Sequence, residues 1–506
     1  MKKHLLYYFS AFICGMAVMA VELSAARLLA PYFGNSLYVW TNVIGLIMVA
    51  LAAGYYFGGR LADKNPRREV YFALILLTGF WTVLIPFFSP LLFEQLTTGF
   101  SNLALAVKWG SFFAVTFLFA LPMFLLGMIV PFTVKMVIQN VAKVGSLSGK
   151  ISTVSTLGSL VGTFLPAFLL IPVFGTTKTF IFIGLLLIFL AAFGLRKWWV
   201  FILATLGLGL FWLVPPVYAN DAVIYAKDSP YGYIFVTEDA EGVRRLHIDN
   251  PLGTQSIYNP ASVLPEEHYY YSYFGVLPSM IEEPKTVLIL GHAGGSFTRI
   301  FNTYYPELEI TGVEIDPAVT RIAEEYMGLS DATVNIVHAD ARTFLLNTEE
   351  QYDLILIDTY HASNIPAHLA TQEFYALAAS HLDEDGILAL NAASDEGPFL
   401  NALAATLASQ FEFAAYLNIP DSFNAMIIGS NKAFDFYTDS PEDLAGKRDY
   451  LYQYLTSVTE LISNSEIFTD EKMSRVEIFT EQMYMQIIKE FTLRGSRVRV
   501  LWNSNS

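Results

Sequence analysis

The chain of 506 residues is long enough for two or three domains, and 54% of its residues are hydrophobic, more than in an ordinary soluble protein. Its net charge of −16 is divided unevenly: residues 1–220 contain fourteen Lys and Arg against four acids, whereas the remainder contains sixteen against forty-two. An acidic C-terminal half repels phosphate backbones, which excludes nucleic acid as a partner. The single cysteine, Cys14, excludes an intrachain disulfide and a cysteine-based metal site.

The N-terminal half consists of apolar runs that are long enough to cross a bilayer, for which about 20 residues are needed. The first run is too long, and too poor in a cleavage site, for a removable signal peptide, so we expect it in the mature protein. About seven runs predict an all-α polytopic membrane bundle over residues 1–219, with the runs at 5–30, 37–59, 70–89, 109–130, 151–174, 179–195 and 198–218.

Basic residues occupy alternate loops between these runs, and the positive-inside rule therefore predicts a cytoplasmic N-terminus and a multi-pass protein of the cell membrane. Seven crossings from an inside start would place the C-terminal half outside, where a nucleotide-like cosubstrate is not normally available. We expect this half in the cytoplasm, which requires either that run 198–218 is interfacial or re-entrant, or that another run is miscounted.

Two charged residues, Glu22 and Arg27, lie within the first run, where ionised side chains are costly and usually face the bundle interior. One interpretation is a polar site for a substrate or a coupling ion. The other is an internal ion pair, or an arginine that reaches for the interface, and this second interpretation is favoured because Pro31 ends the helix nearby. The glycines Gly158 and Gly162 are expected to permit close helix packing.

From residue 220 the pattern changes to short alternating segments that predict a small antiparallel β subdomain over residues 220–283. Apolar strands then alternate with helical patterns, which predicts a Rossmann-like, doubly wound α/β domain of the methyltransferase type over residues 284–435. A C-terminal helical extension over residues 436–506 completes the fold class, a multidomain protein with a membrane bundle, a β subdomain and an α/β domain.

Ligands of doubly wound sheets bind beyond the carboxyl ends of the strands. Here a glycine turn follows the first strand, and acidic residues lie at the ends of the next three. Gly291, Gly294 and Gly295 permit close backbone approach and open a helix whose N-terminal amides favour polar or anionic groups. Glu314 follows at a spacing typical of a carboxylate that binds ribose hydroxyls. Asp340 is suited to accept from an adenine amino group, and Asp358 ends the fourth strand. Asp316, before a proline, is predicted to cap a helix.

These motifs resemble the spermidine synthase family, aminopropyltransferases that act on decarboxylated S-adenosylmethionine and release methylthioadenosine. The resemblance covers residues 231–391 through the glycine turn, Val313-Glu-Ile-Asp316, Ala339-Asp-Ala341 and Glu373-Phe-Tyr375. The N-terminal half is similar to membrane-fused members through Glu22-Leu-Ser-Ala-Ala-Arg27, and the tail through Phe468-Thr-Asp-Glu471. The resemblance implies a nucleoside site formed by Gln255, Gly291, Glu314, Asp340 and Asp358, with Asp358 also as proton acceptor and amine anchor. Gly294, Gly295 and Ala341 are further candidates for binding the cosubstrate.

The amine-binding pattern of the family does not carry over. Gly294 stands where the family has an aspartate, His361 stands in place of a second aspartate, and the family's tyrosine-histidine-glutamate becomes Tyr270, Tyr271 and Ser272. A buried polyammonium needs carboxylates, so ordinary putrescine to spermidine transfer is doubtful. Loss of the acid at Gly294 also removes the charge that would repel the α-carboxylate of intact S-adenosylmethionine. We therefore hypothesise that intact S-adenosylmethionine, or a less cationic acceptor, is used.

Catalysis is assigned to Asp358 as base, with Tyr270, Tyr271 and Tyr360 around the sulfonium or amine. The alternative for these tyrosines is an aromatic surface near the membrane. The leading function is a membrane-anchored transferase with an S-adenosylmethionine-type cosubstrate. Methyl transfer or intramolecular cleavage of intact S-adenosylmethionine, and a transporter or sensor with a non-catalytic domain, remain open. We expect no metal, a polyamine or other amine as partner besides the lipid bilayer, and leave a homodimer open.

Overall fold

The computed structural model describes residues 2–34, 36–98, 106–138, 144–218, 222–250, 253–264, 269–360, 365–394, 396–438, 440–460, 465–480 and 482–483. The chain divides into two compact units. The first unit contains residues 1–221 and 226–233, and the second contains residues 222–225 and 234–506. The small β-sheet, the α/β fold and the C-terminal residues thus belong largely to the second unit.

Outside residues 226–233, the regular secondary structure among the described residues of the first unit consists of helices. Within the part of the chain that the structure describes, six helical stretches are long and apolar enough to cross a membrane, the shortest having 20 residues. Two of them continue through short π-helical turns, at Ala106–Gly110 and Pro166–Leu170. The helices are α1 (Lys2–Phe33), α2 (Leu37–Lys64), α3 (Arg68–Thr98), α4 (Ser111–Val137), α5 (Val144–Leu165), α6 (Ile171–Phe174), α7 (Thr176–Leu195), α8 (Trp198–Gly207) and α9 (Leu210–Leu213).

The seventh predicted run differs from the other six because it forms the two short helices α8 and α9 instead of one long helix. These helices pack antiparallel to α7. A side-chain atom built on Gly207 would touch Leu185, and the ring of Phe211 lies 5.7 Å from that of Phe174, which immediately precedes α7. The Val217 carbonyl then accepts from Tyr32 at the end of α1. Residues 198–217 therefore return the chain to the end of the bundle at which α1 ends.

Glycines bring neighbouring helices into backbone contact, as the sequence predicted. A Cβ atom on Gly158 would lie 2.0 Å from the carbonyl oxygen of Phe12, and one on Gly162 would lie 2.1 Å from that of Met16. Helices α1 and α5 therefore pack at a distance that only glycine permits. Arg27, for its part, hydrogen-bonds the carbonyl of Pro230. Among the described residues it forms no ion pair with Glu22, so the internal pair offered as one interpretation is not formed.

A four-stranded antiparallel sheet follows the helices. Its strands are β1 (Val223–Asp228), β2 (Tyr233–Glu238), β3 (Arg244–Ile248) and β4 (Ser256–Tyr258), in the spatial order 1-2-3-4. The sequence predicted the last three strands and missed β1. A buried face formed by Ile234, Val236 and Leu246 packs against the helix Pro317–Tyr326.

The second sheet is the α/β core. Its elements are α10 (Tyr271–Phe274), β5 (Thr286–Leu290), α11 (Ser296–Tyr304), β6 (Glu309–Glu314), α12 (Pro317–Tyr326), β7 (Asn335–His338), α13 (Ala341–Asn347), β8 (Tyr352–Ile357), α14 (Gln372–Ala379), β9 (Leu382–Ala392), α15 (Pro398–Ala408), β10 (Phe413–Asn418), β11 (Ala425–Ser430), α16 (Ala445–Tyr454) and β12 (Thr456–Ser457). The strand order is 7-6-5-8-9-11-10-12, with β5 to β9 parallel and the remaining strands antiparallel. The predicted Rossmann-like, methyltransferase-type sheet is confirmed.

Alternate residues of the central strands enter two separate cores because side chains of a strand point to opposite faces. Leu288 and Leu290 of β5 join the core under α13 to α15, whereas Val287 and Ile289 join the core under α10 and α11. Both faces are covered, which is why these strands read as continuous apolar runs. The order of the strands reverses between β5 and β8, so a ligand crevice is expected beyond the ends of these two strands.

Candidate active site

The turn after β5 lies directly against the end of β8. Gly291 has a φ of +88°, and a Cβ atom there would lie 2.1 Å from the carbonyl oxygen of Asp358. The amide of Asp358 in turn donates to the carbonyl of Leu290 at 2.8 Å. Only glycine fits at this point, because any side chain would separate the two strand ends. Gly295 also has a positive φ, +80°, and opens α11.

Gly294 packs against the β subdomain rather than against open space. Its amide donates to the Ser256 hydroxyl at 2.8 Å, and a Cβ atom on Gly294 would lie 2.6 Å from the Cβ of Ser256. Ser256 begins β4 immediately after Gln255, whose backbone amide donates to the backbone carbonyl of Leu246. Ser256, the residue after the predicted ligand Gln255, therefore occupies the space that a side chain at position 294 would need, where the family has an aspartate.

Glu314, the last residue of β6, is 8% exposed and ties together two strand ends. One carboxylate oxygen accepts from the Ala293 amide at 2.9 Å, and the other accepts from the Asp316 amide at 3.0 Å. Burial raises the pKa of Glu314, and the two amide donors oppose that rise. Asp316 caps α12 through the Ala318 amide, as the sequence predicted.

Asp340 follows β7 and caps α13, whose first residue is the buried Ala341. Its Oδ1 accepts from the Thr343 amide at 3.0 Å, and its Oδ2 lies 2.9 Å from Nε2 of His368. Partial burial acts to raise the pKa of Asp340, but the hydrogen bonds from His368 and Thr343 outweigh it and lower that pKa. An ionised carboxylate at this strand end is the form that accepts hydrogen bonds.

Asp358 has hydrogen-bond donors on both of its oxygens. The Tyr270 hydroxyl donates to Oδ2 at 2.7 Å, and the Asn391 amide donates to Oδ1 at 2.8 Å. Asn424 donates to the Asn391 carbonyl oxygen at 2.9 Å and so fixes its orientation. The side chain retains some contact with solvent, but protein encloses the carboxyl. Burial therefore raises the pKa of Asp358, and the bonds from Asn391 and Tyr270 limit the rise.

The three predicted tyrosines make different contacts. Tyr270 is 7% exposed and reaches Asp358, whereas Tyr271 is 1% exposed and packs its ring 4.2 Å from Tyr270 and 5.2 Å from Phe297. Tyr360 accepts a hydrogen bond from the Ala393 amide at 2.9 Å. Tyr270 and Tyr271 are buried in the second unit, so the alternative of an exposed aromatic surface is wrong for this pair.

His292 of the glycine turn lies in the core, 3% exposed, with Nε2 2.8 Å from the Thr298 hydroxyl, and burial lowers its pKa to about 4. His361 lies outside the described residues. The sequence analysis missed Ser256, His368 and Asn391. A signal existed for Asn391 alone, because it is a polar residue near the end of the strand that neighbours β8.

A separate cavity lies away from these strand ends. A space of about 490 Å³ at the edge of the sheet is lined by residues of β10 and α16, such as Phe413 and Leu451, and not by the strand ends described above. We place the candidate site at the strand ends because chemistry-bearing side chains converge there at the reversal of strand order. The edge cavity is lined by apolar side chains and by polar ones such as Glu412 and Asp435, but it does not lie at the reversal of strand order.

Residues 267–410 match the family model of the spermine/spermidine synthase domain. The second unit contains a spermidine synthase domain. The chain is 32% identical to a polyamine aminopropyltransferase of Oceanobacillus iheyensis over 270 residues, which cover 47% of this chain and 50% of that protein. It is 26% identical to a probable polyamine aminopropyl transferase of Bifidobacterium longum over 294 residues, which cover 53% of this chain and 64% of that protein.

A third relative is similar over more of the chain. The polyamine aminopropyltransferase 2 of Ralstonia nicotianae is 26% identical over 425 residues, which cover 76% of this chain and 78% of that protein. Because the second unit is little more than half of the chain, this similarity extends into the helical unit. The chain nevertheless spans only about half to two thirds of the length of the first two relatives.

Proposed function

We propose that the chain is a membrane-anchored transferase of the aminopropyltransferase type that uses an S-adenosylmethionine-type cosubstrate. One observation carries the proposal: Asp358, a carboxylate with a raised pKa, stands beside the glycine turn at the reversal of strand order, with both oxygens oriented by neutral donors. A buried base that is oriented in this way is suited to take a proton from an attacking amine. The similarity to polyamine aminopropyltransferases supports the same assignment.

The proposed step is a displacement at carbon. The amine nitrogen forms a bond to the carbon attached to the sulfonium, the carbon–sulfur bond breaks, and its electron pair remains on sulfur as the thioether of methylthioadenosine. The nitrogen loses a proton to Asp358. The enzyme mainly aligns the nucleophile with the leaving group, and the ring of Tyr270 provides a π-face beside the cation.

The nucleoside would lie across the ends of β5, β6 and β7. In the proposed complex Glu314 accepts from ribose hydroxyls, the glycine turn at Gly294 and Gly295 lies beside the polar chain of the cosubstrate, and Asp340 accepts from the adenine amino group beside Ala341. Gln255 closes the crevice from the β subdomain. The placement of these residues at adjacent strand ends supports this reading.

The packing of Gly294 on Ser256 favours intact S-adenosylmethionine as cosubstrate. The family's aspartate at this position would meet Ser256, and its charge is absent from the turn. An α-carboxylate of the cosubstrate would then meet no like charge at this position of the turn. Chemistry on intact S-adenosylmethionine, whether methyl transfer or intramolecular cleavage, is therefore the second candidate function. A less cationic acceptor than putrescine is the corresponding proposal for the amine side.

The side of the membrane is a separate question. The supply of S-adenosyl compounds favours a cytoplasmic soluble half, as the sequence predicted. The packing of α8 and α9 along α7 argues for the opposite side, because it returns the chain to the end of the bundle remote from the basic loops. Labelling experiments on the first unit decide between the two.

The function is tested by product analysis. Purified full-length protein is incubated with intact or decarboxylated S-adenosylmethionine, with and without polyamines, and products are identified by mass spectrometry. Methylthioadenosine together with an aminopropylated amine supports the leading proposal. S-adenosylhomocysteine indicates methyl transfer, and methylthioadenosine from intact S-adenosylmethionine without an amine indicates cleavage. Absence of turnover with either cosubstrate would refute the enzymatic proposal.

A further inference from the structure

The C-terminal part of the chain enters the α/β fold through residues 465–472, which we call the tail segment. Phe468 is fully buried and packs its ring 6.3 Å from Phe399. Its amide donates to the Thr406 hydroxyl at 3.0 Å, and its carbonyl accepts from the Gln372 amide at 2.8 Å. The tail segment is thus held by the core and by backbone bonds, and is not a loosely attached extension.

Asp470 is the residue of the tail segment that binds the most polar groups. Its carboxylate accepts from both terminal nitrogens of Arg342, at 2.8 and 2.5 Å, and from the Thr371 hydroxyl at 2.7 Å. Its amide donates to Glu373 at 3.0 Å. A two-pronged arginine–carboxylate pair fixes direction as well as distance. Asp470 therefore joins the first turn of α13 to the residues that lead into α14.

The two segments that Asp470 joins carry Asp340 and His368. Arg342 follows Asp340 by two residues, and Thr371 follows His368 by three. Arg342 also donates to the His368 carbonyl at 3.3 Å. The Asp470 carboxylate thus binds a neighbour of Asp340 and a neighbour of His368. It thereby supports the 2.9 Å contact between these two side chains.

We infer that Asp470 is a positioning residue of the nucleoside site, which holds His368 against Asp340 and so orients the carboxylate that meets the adenine amino group. This inference rests on the proposed function. Oδ1 of Asp340 is committed to the Thr343 amide, which leaves Oδ2 for the ligand. A carboxylate oxygen can accept more than one hydrogen bond, so Oδ2 can serve His368 and the adenine amino group together. Without His368 the side chain loses the partner that fixes this oxygen.

The test measures nucleoside affinity in the full-length protein by calorimetry, with methylthioadenosine and S-adenosylmethionine as probes. Asp470→Asn keeps the size of the side chain and removes its charge. We expect affinity for both probes to fall by the same factor, about fivefold to tenfold, because the defect lies at the adenine end that both share. His368→Gln, a partly exposed position, should produce a similar loss without depending on the packing of the tail segment.

A double variant at Asp470 and His368 distinguishes a positioning role of Asp470 from a general loss of stability. If Asp470 acts through His368, the double variant binds no more weakly than either single variant. Glu466→Gln is the matched control: Glu466 lies in the same tail segment, and the change removes the charge that forms a 2.7 Å ion pair with Arg475, so affinity should stay unchanged. Unaltered affinity in Asp470→Asn, or losses that add in the double variant, would overturn the inference. If the unmodified protein binds neither probe, the proposed function itself fails.

Discussion

The Tyr270 hydroxyl donates to Oδ2 of Asp358 at 2.7 Å, and this bond joins the segment before α10 to the end of β8. The bond has two effects on the carboxylate. It fixes one oxygen in space, and it stabilises the ionised form against the burial that disfavours it. A base in this position is active only when it is deprotonated, so the pH dependence of turnover reports on the bond.

Tyr270→Phe should move the acidic limb of the pH–rate profile to higher pH. Burial raises the pKa of Asp358 and the Tyr270 bond opposes the rise, so loss of the hydroxyl raises that pKa further. Turnover, which falls as the pH decreases through this pKa, is then lost at a higher pH than in the unmodified protein. The measurement is kcat/KM for the S-adenosyl cosubstrate across the pH range.

Tyr304→Phe is the control for this experiment, because Tyr304 donates to Asp443 instead of Asp358. Asn391→Leu removes the donor to the other oxygen and should shift the limb in the same direction as Tyr270→Phe. A shift toward lower pH in either variant, or an equal shift in Tyr304→Phe, would show that Asp358 is not the titrating base.

Asp358→Asn should abolish turnover and leave cosubstrate binding within about threefold, since a general base contributes on the order of 10²–10⁴ to rate. The amide is close in size to the carboxylate, so the strand end can retain its shape. Product formation by mass spectrometry and binding by calorimetry are measured on the same preparation. Full turnover in this variant would show that a residue other than Asp358 is the base. Failure of the unmodified protein to turn over, with intact binding, would favour the transporter or sensor interpretation.

Gly294→Asp tests why the family's aspartate is missing. A Cβ atom at Gly294 would lie 2.6 Å from the Cβ of Ser256, so the single substitution should lower the free energy of unfolding by about 1–3 kcal/mol through overpacking. Ser256→Gly combined with Gly294→Asp should recover most of this stability and shift preference toward decarboxylated S-adenosylmethionine. Thermal unfolding and competition calorimetry provide the readouts. A double variant that still prefers the intact cosubstrate would contradict the assigned role of this position.

The strand ends were accessible from sequence because a buried parallel strand and the polar residue after it form a recognisable pair. Glu314, Asp340 and Asp358 follow this rule, and the structure places them at the carboxyl ends of β6, β7 and β8. Contacts between residues that are far apart in the sequence could not be predicted. Ser256 lies 38 residues from Gly294, and Asp470 lies 128 residues from Arg342, and no local pattern announces either pairing.

Opposite sides of the membrane are predicted for Lys64 and Tyr231, both residues of the first unit. Lys64 ends α2 among the basic loops, whereas Tyr231 adjoins Pro230, whose carbonyl binds Arg27 near the other end of α1. The positive-inside rule places Lys64 in the cytoplasm, and the antiparallel packing of residues 198–217 on α7 then places Tyr231 outside. Lys64→Cys and Tyr231→Cys are made separately in a Cys14→Ser background and treated in intact cells with a membrane-impermeant maleimide.

We expect the reagent to label Tyr231→Cys in intact cells and Lys64→Cys only after the membrane is permeabilised. Both side chains are exposed in the structure, and the native Cys14 is buried, so accessibility reflects the side of the membrane. Labelling of both positions only after permeabilisation would instead mean that residues 198–217 do not cross, and would support a cytoplasmic soluble half. The expected result would place the segment that enters the soluble half outside, and an external source of the S-adenosyl compound would then be required for the proposed reaction.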